Sequence, residues 1–405
     1  MLKKIICIII FVLMISGCSV IREEEKEDIP QIPEVVEVEK VDPIKEKMKT
    51  MSLEEKIGQM FIVGFEGYET DDEIKELIQK RYVGGIIFFD RNIKNAENLL
   101  QLMNSLKSLN QNNKAPLFMS VDEEGGRVSR LPKEMKKFPS SMNIGKVNDE
   151  EYSFKVGEVT GEKLKAFGFN MNFAPVLDIY SNPKNKVIGD RAFGVNPKSV
   201  KNLGVATMKG LENEGVIPVV KHFPGHGDTL EDSHLKLPVI NYDYKRLDSF
   251  ELIPFKYAIE KGSDAIMAAH ILMPKLDKDY PASLSKYIIT DLLRDKLNFD
   301  GVVITDDMEM NAIAKNFNIE DASVKAVEAG CDIILICKNY ENSVKAIEKL
   351  KLAVQSNQIT QDKIDESVYR ILTLKDKYNL EDKSINTIDL KALNEKVENL
   401  LKYKK

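Results

Sequence analysis

Eight short, almost wholly apolar runs recur between residues 57 and 336, separated by longer amphipathic stretches. They are IGQMFIVGF (57–65), VGGIIFF (83–89), PLFMSVD (116–122), NMNFAPVLD (170–178), VIPVVKHF (216–223), DAIMAAHIL (264–272), GVVITDD (301–307) and CDIILI (331–336). A strand with one face in water alternates apolar with polar residues. Runs that are apolar throughout suit strands covered on both faces, as in a parallel sheet packed under helices. Stretches such as DDEIKELIQKRY (71–82) and SVKNLGVATMKGLENEG (199–215) supply those helices. Eight strand–helix units over roughly 330 residues predict an α/β fold, a (β/α)8 TIM-type barrel with insertions. A doubly wound open sheet is the alternative that the pattern leaves open.

The start of the chain is of another kind. MLKKIICIIIFVLMISGC places Lys3 and Lys4 before an apolar run from Ile5 to Ile15, then Ser16, Gly17 and Cys18. That run is shorter than the about 20 residues a membrane-spanning helix needs, and it suits the core of an export signal. Ile15-Ser16-Gly17-Cys18 resembles the lipobox of bacterial lipoproteins, which implies a signal peptide over 1–17 and lipidation of Cys18; a short uncleaved anchor is the alternative. Both place the rest of the chain outside the cytoplasm, attached to a membrane. Residues 18–45, acidic and punctuated by proline, predict a solvated, disordered tether before a barrel domain over 46–383. In the tail, 384–405, Leu390, Leu393, Val397, Leu400 and Leu401 share one helical face and predict a docked terminal helix.

A net charge of −6, with lysines interleaved among acids, supplies no basic field for nucleic acid. Of the four cysteines, Cys7 leaves with the signal and Cys18 carries lipid. Cys331 and Cys337 would lie roughly 20 Å apart on one extended strand, out of disulfide reach, and are read as packing residues. A monomer without cofactor or metal is expected.

Polar residues close several of the runs: Asp122 the third, Asp178 the fourth, Lys221 and His222 the fifth, His270 the sixth, Asp306 and Asp307 the seventh. In a barrel these ends form the active-site face. KHFPGHGDTLEDSH (221–234) alone holds three of the four histidines, and the fourth, His270, lies at the end of the sixth run. Histidine titrates nearest neutrality, so the cluster suits proton transfer, metal ligation or recognition of a polar ligand. A zinc-dependent barrel hydrolase would favour a histidine pair on the first strand, and IGQMFIVGF has none. A non-catalytic wall-binding lipoprotein would gain nothing from desolvating so many acids. Glycoside hydrolysis uses such a ring, with one group to protonate the leaving oxygen and a carboxylate on the sugar's other side.

Five stretches carry a family resemblance: VDEEGGRVSRL (121–131), SNPKNKVIGDRAFG (181–194), KHFPGHGDTLEDSH, PASLSKYIITDLLRDKLNFDGVVITDDMEM (281–310) and SVYRILTLKDKY (367–378). In order and spacing they resemble glycoside hydrolase family 3, and within it the NagZ-type β-N-acetylglucosaminidases, from about Ser52 to Leu380. The resemblance implies a carbohydrate substrate containing N-acetylglucosamine and a covalent glycosyl-enzyme. It further implies Asp306 as nucleophile, His234 as general acid/base with Asp232 as its partner, and Asp122, Arg130, Arg191, Lys221 and His222 as sugar-binding residues. Asp307, next along on the opposite strand face or in the turn, is the weaker nucleophile. Asp178, Glu123, Glu124 and His270 stand as supporting residues, and His226 is either structural or functional. Gly225 and Gly227 suit a tight turn past the ligand. Glu123 and Lys186 depart from the family pattern, where glutamine and proline are common.

Overall fold

The computed structural model describes residues 41–229 and 236–402, so residues 1–40, including Cys18, 230–235, including Asp232 and His234, and 403–405 lie outside the described part. Every apolar run contributes a strand: β1 (Phe61–Val63), β2 (Gly85–Phe88), β3 (Phe118–Val121), β4 (Met171–Asn172), β5 (Ile217–Phe223), β6 (Ala265–Ala268), β7 (Val302–Asp307) and β8 (Ile333–Ile336). Each pairs in parallel with its neighbours in sequence, and β8 closes on β1 through Phe61 and Ile334, which makes a closed barrel and settles the choice against an open sheet.

The strands are shorter than the runs, for local reasons. Ile57, Gly58 and Gln59 belong to helix Leu53–Gln59, because Ser52 and Glu55 form a reciprocal capping box that starts a helix there. Only Met171 and Asn172 of the fourth run pair as β4; Val176 then makes an isolated bridge to Lys221, so Asp178 lies six residues beyond the strand. At the end of the sixth run the chain leaves the barrel, and Leu272–Met273 pairs antiparallel with Asp277–Pro281.

Two register shifts shape the mouth. Val220 pairs with Ile266 and Phe223 with Ala268, so three steps of β5 oppose two of β6. Ile304 pairs with Ile333 and Asp307 with Leu335, a second step of three against two. A bulge breaks strict alternation and re-aims side chains. Adjacent residues, Lys221 with His222 and Asp306 with Asp307, can therefore line one cavity.

The interior is continuous: Phe61, Phe88, Phe118, Phe169, Phe173 and Phe223 are fully buried with the aliphatic residues of the strands. At the N-terminal end of the barrel Lys375 donates to Gln59 Oε1 (2.6 Å), the Gly84 carbonyl (2.9 Å) and the Pro116 carbonyl (2.7 Å), tying helix Gln361–Lys377 to three strand–helix units. The first helix, Pro43–Lys49, starts within the stretch read as tether, since Asp42 caps it and Pro43 fits its first position. Helix Leu390–Lys402 buries Val397 and packs on helix Glu150–Phe167. Both cysteines of the described part, Cys331 and Cys337, are free and buried. Among the described residues no helix is long and apolar enough to cross a membrane.

Candidate active site

A cavity of about 320 Å³ opens at the C-terminal ends of the strands, walled by Asp122, Arg130, Arg191, Lys221, His222 and Asp306 among others. It lies at the small end of the about 300–1,000 Å³ usual for ligand pockets. The sugar-binding residues and the nucleophile named from the sequence thus come to one place from β3, β4, β5 and β7 and the loops after them.

Two chains of charge organise the wall. Lys221, only 2% exposed, donates to Asp122 Oδ1 at 2.5 Å and to Glu124 Oε1 at 2.7 Å. Glu124 in turn grips Arg191 in two bonds, Nε to Oε2 at 2.8 Å and Nη2 to Oε1 at 2.7 Å. Burial alone would raise the Glu124 carboxyl, but Arg191 and Lys221 outweigh it and hold the group well below the usual carboxylate range. Likewise burial would lower the Lys221 ammonium, yet Asp122 and Glu124 raise it, so it stays charged.

The second chain runs from Arg191 Nη2 to His222 Nε2 at 3.4 Å, and from His222 Nδ1 to Asp178 Oδ2 at 2.6 Å. Asp178 is fully buried, and its Oδ1 also accepts the backbone N–H groups of His226 (2.6 Å) and His222 (3.3 Å). Burial opposes its ionisation, but His222, His226 and these bonds keep it below the usual range. Asp178 therefore fixes both the ring of His222 and the turn after it. At that turn Gly227 approaches Ile179 so closely that a Cβ would sit 1.7 Å from its carbonyl oxygen, which only glycine permits. His226 is buried, bonds Thr229 Oγ1 through Nδ1 at 2.9 Å, and is pushed down to about 4 by burial and by His222, so it is neutral near pH 7 while still lining the cavity.

Asp306 lies half-buried at the end of β7, with Oδ1 accepting the Asp307 N–H at 2.8 Å. Burial would raise its carboxyl, but the neighbouring His222 and His270, the Asp307 N–H and the Lys221 ammonium outweigh it and keep it below its ordinary value. Asp307 is not turned to the opposite side: it lines the cavity as well. Its Oδ1 accepts the N–H groups of Glu309 (3.0 Å) and Cys337 (3.1 Å), and burial pushes its carboxyl up to about 7. The two neighbours are thus electrostatically unlike, one ionised and one poised near neutrality. His270, fully buried behind them, spans from Ser283 Oγ (2.6 Å) to the Asp307 carbonyl (3.0 Å).

Glu123 serves the backbone: it accepts Ser129 Oγ (2.9 Å) and the Arg130 N–H (2.9 Å), shaping the loop that presents Arg130. Arg130 pairs with Asp90 at 2.8 Å, so its Nη1 is shared with an acid at the rim. Sequence reasoning missed Asp90, although it closes the second apolar run as Asp122 closes the third. It also missed Arg127, which pairs with Asp190 (2.8 Å) and donates to the Lys186 (3.0 Å) and Val187 (2.6 Å) carbonyls, bracing the loop that carries Arg191. Among the described residues no group of three His, Cys, Asp or Glu side chains is arranged to hold a metal ion.

Comparison with known proteins fits this geometry. Residues 52–374 match the glycosyl hydrolase family 3 N-terminal domain. A β-hexosaminidase A of Pseudoalteromonas piscicida is 38% identical over 75% of this chain, which spans 55% of that protein's length. A β-hexosaminidase of Haemophilus influenzae is 35% identical, with 72% of this chain and 83% of that protein covered. The structure of a glycoside hydrolase family 3 β-N-acetylglucosaminidase from Paenibacillus sp. str. FPU-7 superposes with a TM-score of 0.82 at 41% identity, covering 86% of this chain and 68% of that one. The chain belongs to glycosyl hydrolase family 3, among its members named β-hexosaminidases.

Proposed function

We propose that the chain is a retaining exo-β-N-acetylglucosaminidase that removes terminal β-linked N-acetylglucosamine from peptidoglycan fragments or related glycans, working as a monomer held outside the cytoplasm by lipid on Cys18. The observation that carries the reading is the placement of Asp306, at the end of β7, in the lining of one small cavity with Lys221, Arg191 and Asp122. Fixed cations and one acid bind a ring of hydroxyls by donating and accepting, and a cavity of this size suits one terminal sugar. The named relatives support the choice of sugar.

In this reading an Asp306 carboxylate oxygen attacks the anomeric carbon while the glycosidic C–O bond breaks, and His234, aligned by Asp232, gives its proton to the departing oxygen. Water then attacks the glycosyl-enzyme, returning a proton to His234 and releasing the sugar with its configuration retained. His222 is tied through both ring nitrogens to Asp178 and Arg191, which supports leaving the acid role to the DSH histidine.

The reading is tested by trapping with a fluorinated N-acetylglucosaminide donor and mapping the label by mass spectrometry. The label is expected on the peptide containing Asp306, whereas a label on Asp307 or elsewhere, or no covalent adduct with turnover intact, contradicts it.

A further inference from the structure

Glu124 lies behind the cavity wall, its side chain 2% exposed and not part of the lining. Yet it joins the two cations that do line the cavity: Oε1 accepts both Lys221 Nζ (2.7 Å) and Arg191 Nη2 (2.7 Å), and Oε2 accepts Arg191 Nε (2.8 Å). Two like charges held side by side in a buried wall repel, and a carboxylate between them removes that repulsion and fixes both headgroups. We propose that Glu124 is a positioning residue that makes Lys221 and Arg191 one sugar-binding unit, so that neither cation binds independently of the other. The proposal rests on the β-N-acetylglucosaminidase reading above.

The donor count shows how the unit works. Lys221 has three N–H donors, and Asp122 and Glu124 take two, which leaves one aimed at a ligand. Arg191 spends Nε and one Nη2 hydrogen on Glu124, the other Nη2 hydrogen on His222 Nε2 (3.4 Å) and one Nη1 hydrogen on the Val187 carbonyl (3.3 Å), which leaves one Nη1 hydrogen. A glutamine at 124 cannot preserve this. With its carbonyl oxygen at the Oε1 site, its amide nitrogen faces Arg191 Nε–H, donor against donor. In the flipped orientation both cations lose the shared acceptor.

Three variants, Glu124→Gln, Glu124→Asp and Arg191→Met, and the double variant Glu124→Gln with Arg191→Met, are compared with the wild type. The readouts are steady-state kinetics on an aryl N-acetylglucosaminide and calorimetric binding of N-acetylglucosamine. Glu124→Gln is expected to raise KM and weaken product binding by the same factor, about 10- to 100-fold, with kcat changed less than about threefold, as befits lost uniform binding. Glu124→Asp, which keeps the charge, should recover part of the affinity. The double variant should bind no worse than about the weaker single variant, because both substitutions break one unit. Additive losses, or a fall in kcat with KM and product affinity unchanged, overturn the proposal, as does a loss of active fraction tracking a lower melting temperature. A wild type that neither cleaves nor binds N-acetylglucosamine overturns the functional reading and takes this one with it.

Discussion

Replacing Asp178 by asparagine exchanges one oxygen for an amide nitrogen in a fully buried site, and the surrounding hydrogen bonds leave the new side chain a single orientation. Oδ1 accepts two backbone N–H groups, at 2.6 and 3.3 Å, so the amide oxygen of asparagine must stay there. The amide nitrogen then faces His222 Nδ1, where Oδ2 stood 2.6 Å away. A donor now opposes a donor, and the imidazole can respond only by moving its proton to Nε2. That turns an N–H toward Arg191 Nη2, 3.4 Å away and itself only a donor. The wall loses one charge-assisted bond and gains one repulsive contact. A hydrogen bond to a charged group is worth about 1.5–3 kcal/mol, or about 10- to 150-fold in kcat/KM. The assay is kcat/KM for an aryl N-acetylglucosaminide, with the imidazole tautomer read by nitrogen NMR on labelled protein. A loss below about threefold, or an Nδ1–H tautomer that survives the substitution, refutes the reasoning.

Asp307, pushed up to about 7 by burial, holds its proton in the folded protein over a window, about 4 to 7, in which the unfolded chain has already lost it. The folded state binds more protons there, so this group makes stability fall as pH rises from about 4 to 7 and contributes no slope above that. Asp307→Asn should remove the slope, so that its melting temperature gains on the wild type between pH 5 and 7.5; parallel curves contradict the assignment. At the other end of the chain, Cys18→Ser should release the protein from the membrane fraction or block its processing, and unchanged processing with membrane retention would instead identify Ile5–Ile15 as an uncleaved anchor.

The barrel was legible because its signal is redundant: eight apolar runs bounded by amphipathic helices admit few arrangements, and closure needs only that β8 reach β1. The boundaries were less so. A proline such as Pro43 looks alike in a tether and at the first turn of a helix, and the difference rests on Asp42 accepting the N–H groups of Ile44 and Lys45. Within the site, residues that close a run were readable one at a time, whereas their pairing was not. Nothing in EEGGRVSR tells that Glu123 bonds its own loop while Glu124 reaches across to Arg191, 67 residues on. Alternation also left the place of Asp307 open between the opposite strand face and the turn, because a bulge leaves no mark on composition: only the register of Ile304 and Asp307 against Ile333 and Leu335 reveals it. The same device on β5 brings Lys221 and His222 to one wall. The two bulged strands, β5 and β7, flank β6 on either side, β5 shifting register against β6 and β7 against β8, so the sugar-binding pair and the nucleophile enter the cavity from the two sides of β6. Regular alternation would have turned one residue of each adjacent pair against the helices. The catalytic face therefore depends on two local departures from the pattern that makes the barrel predictable.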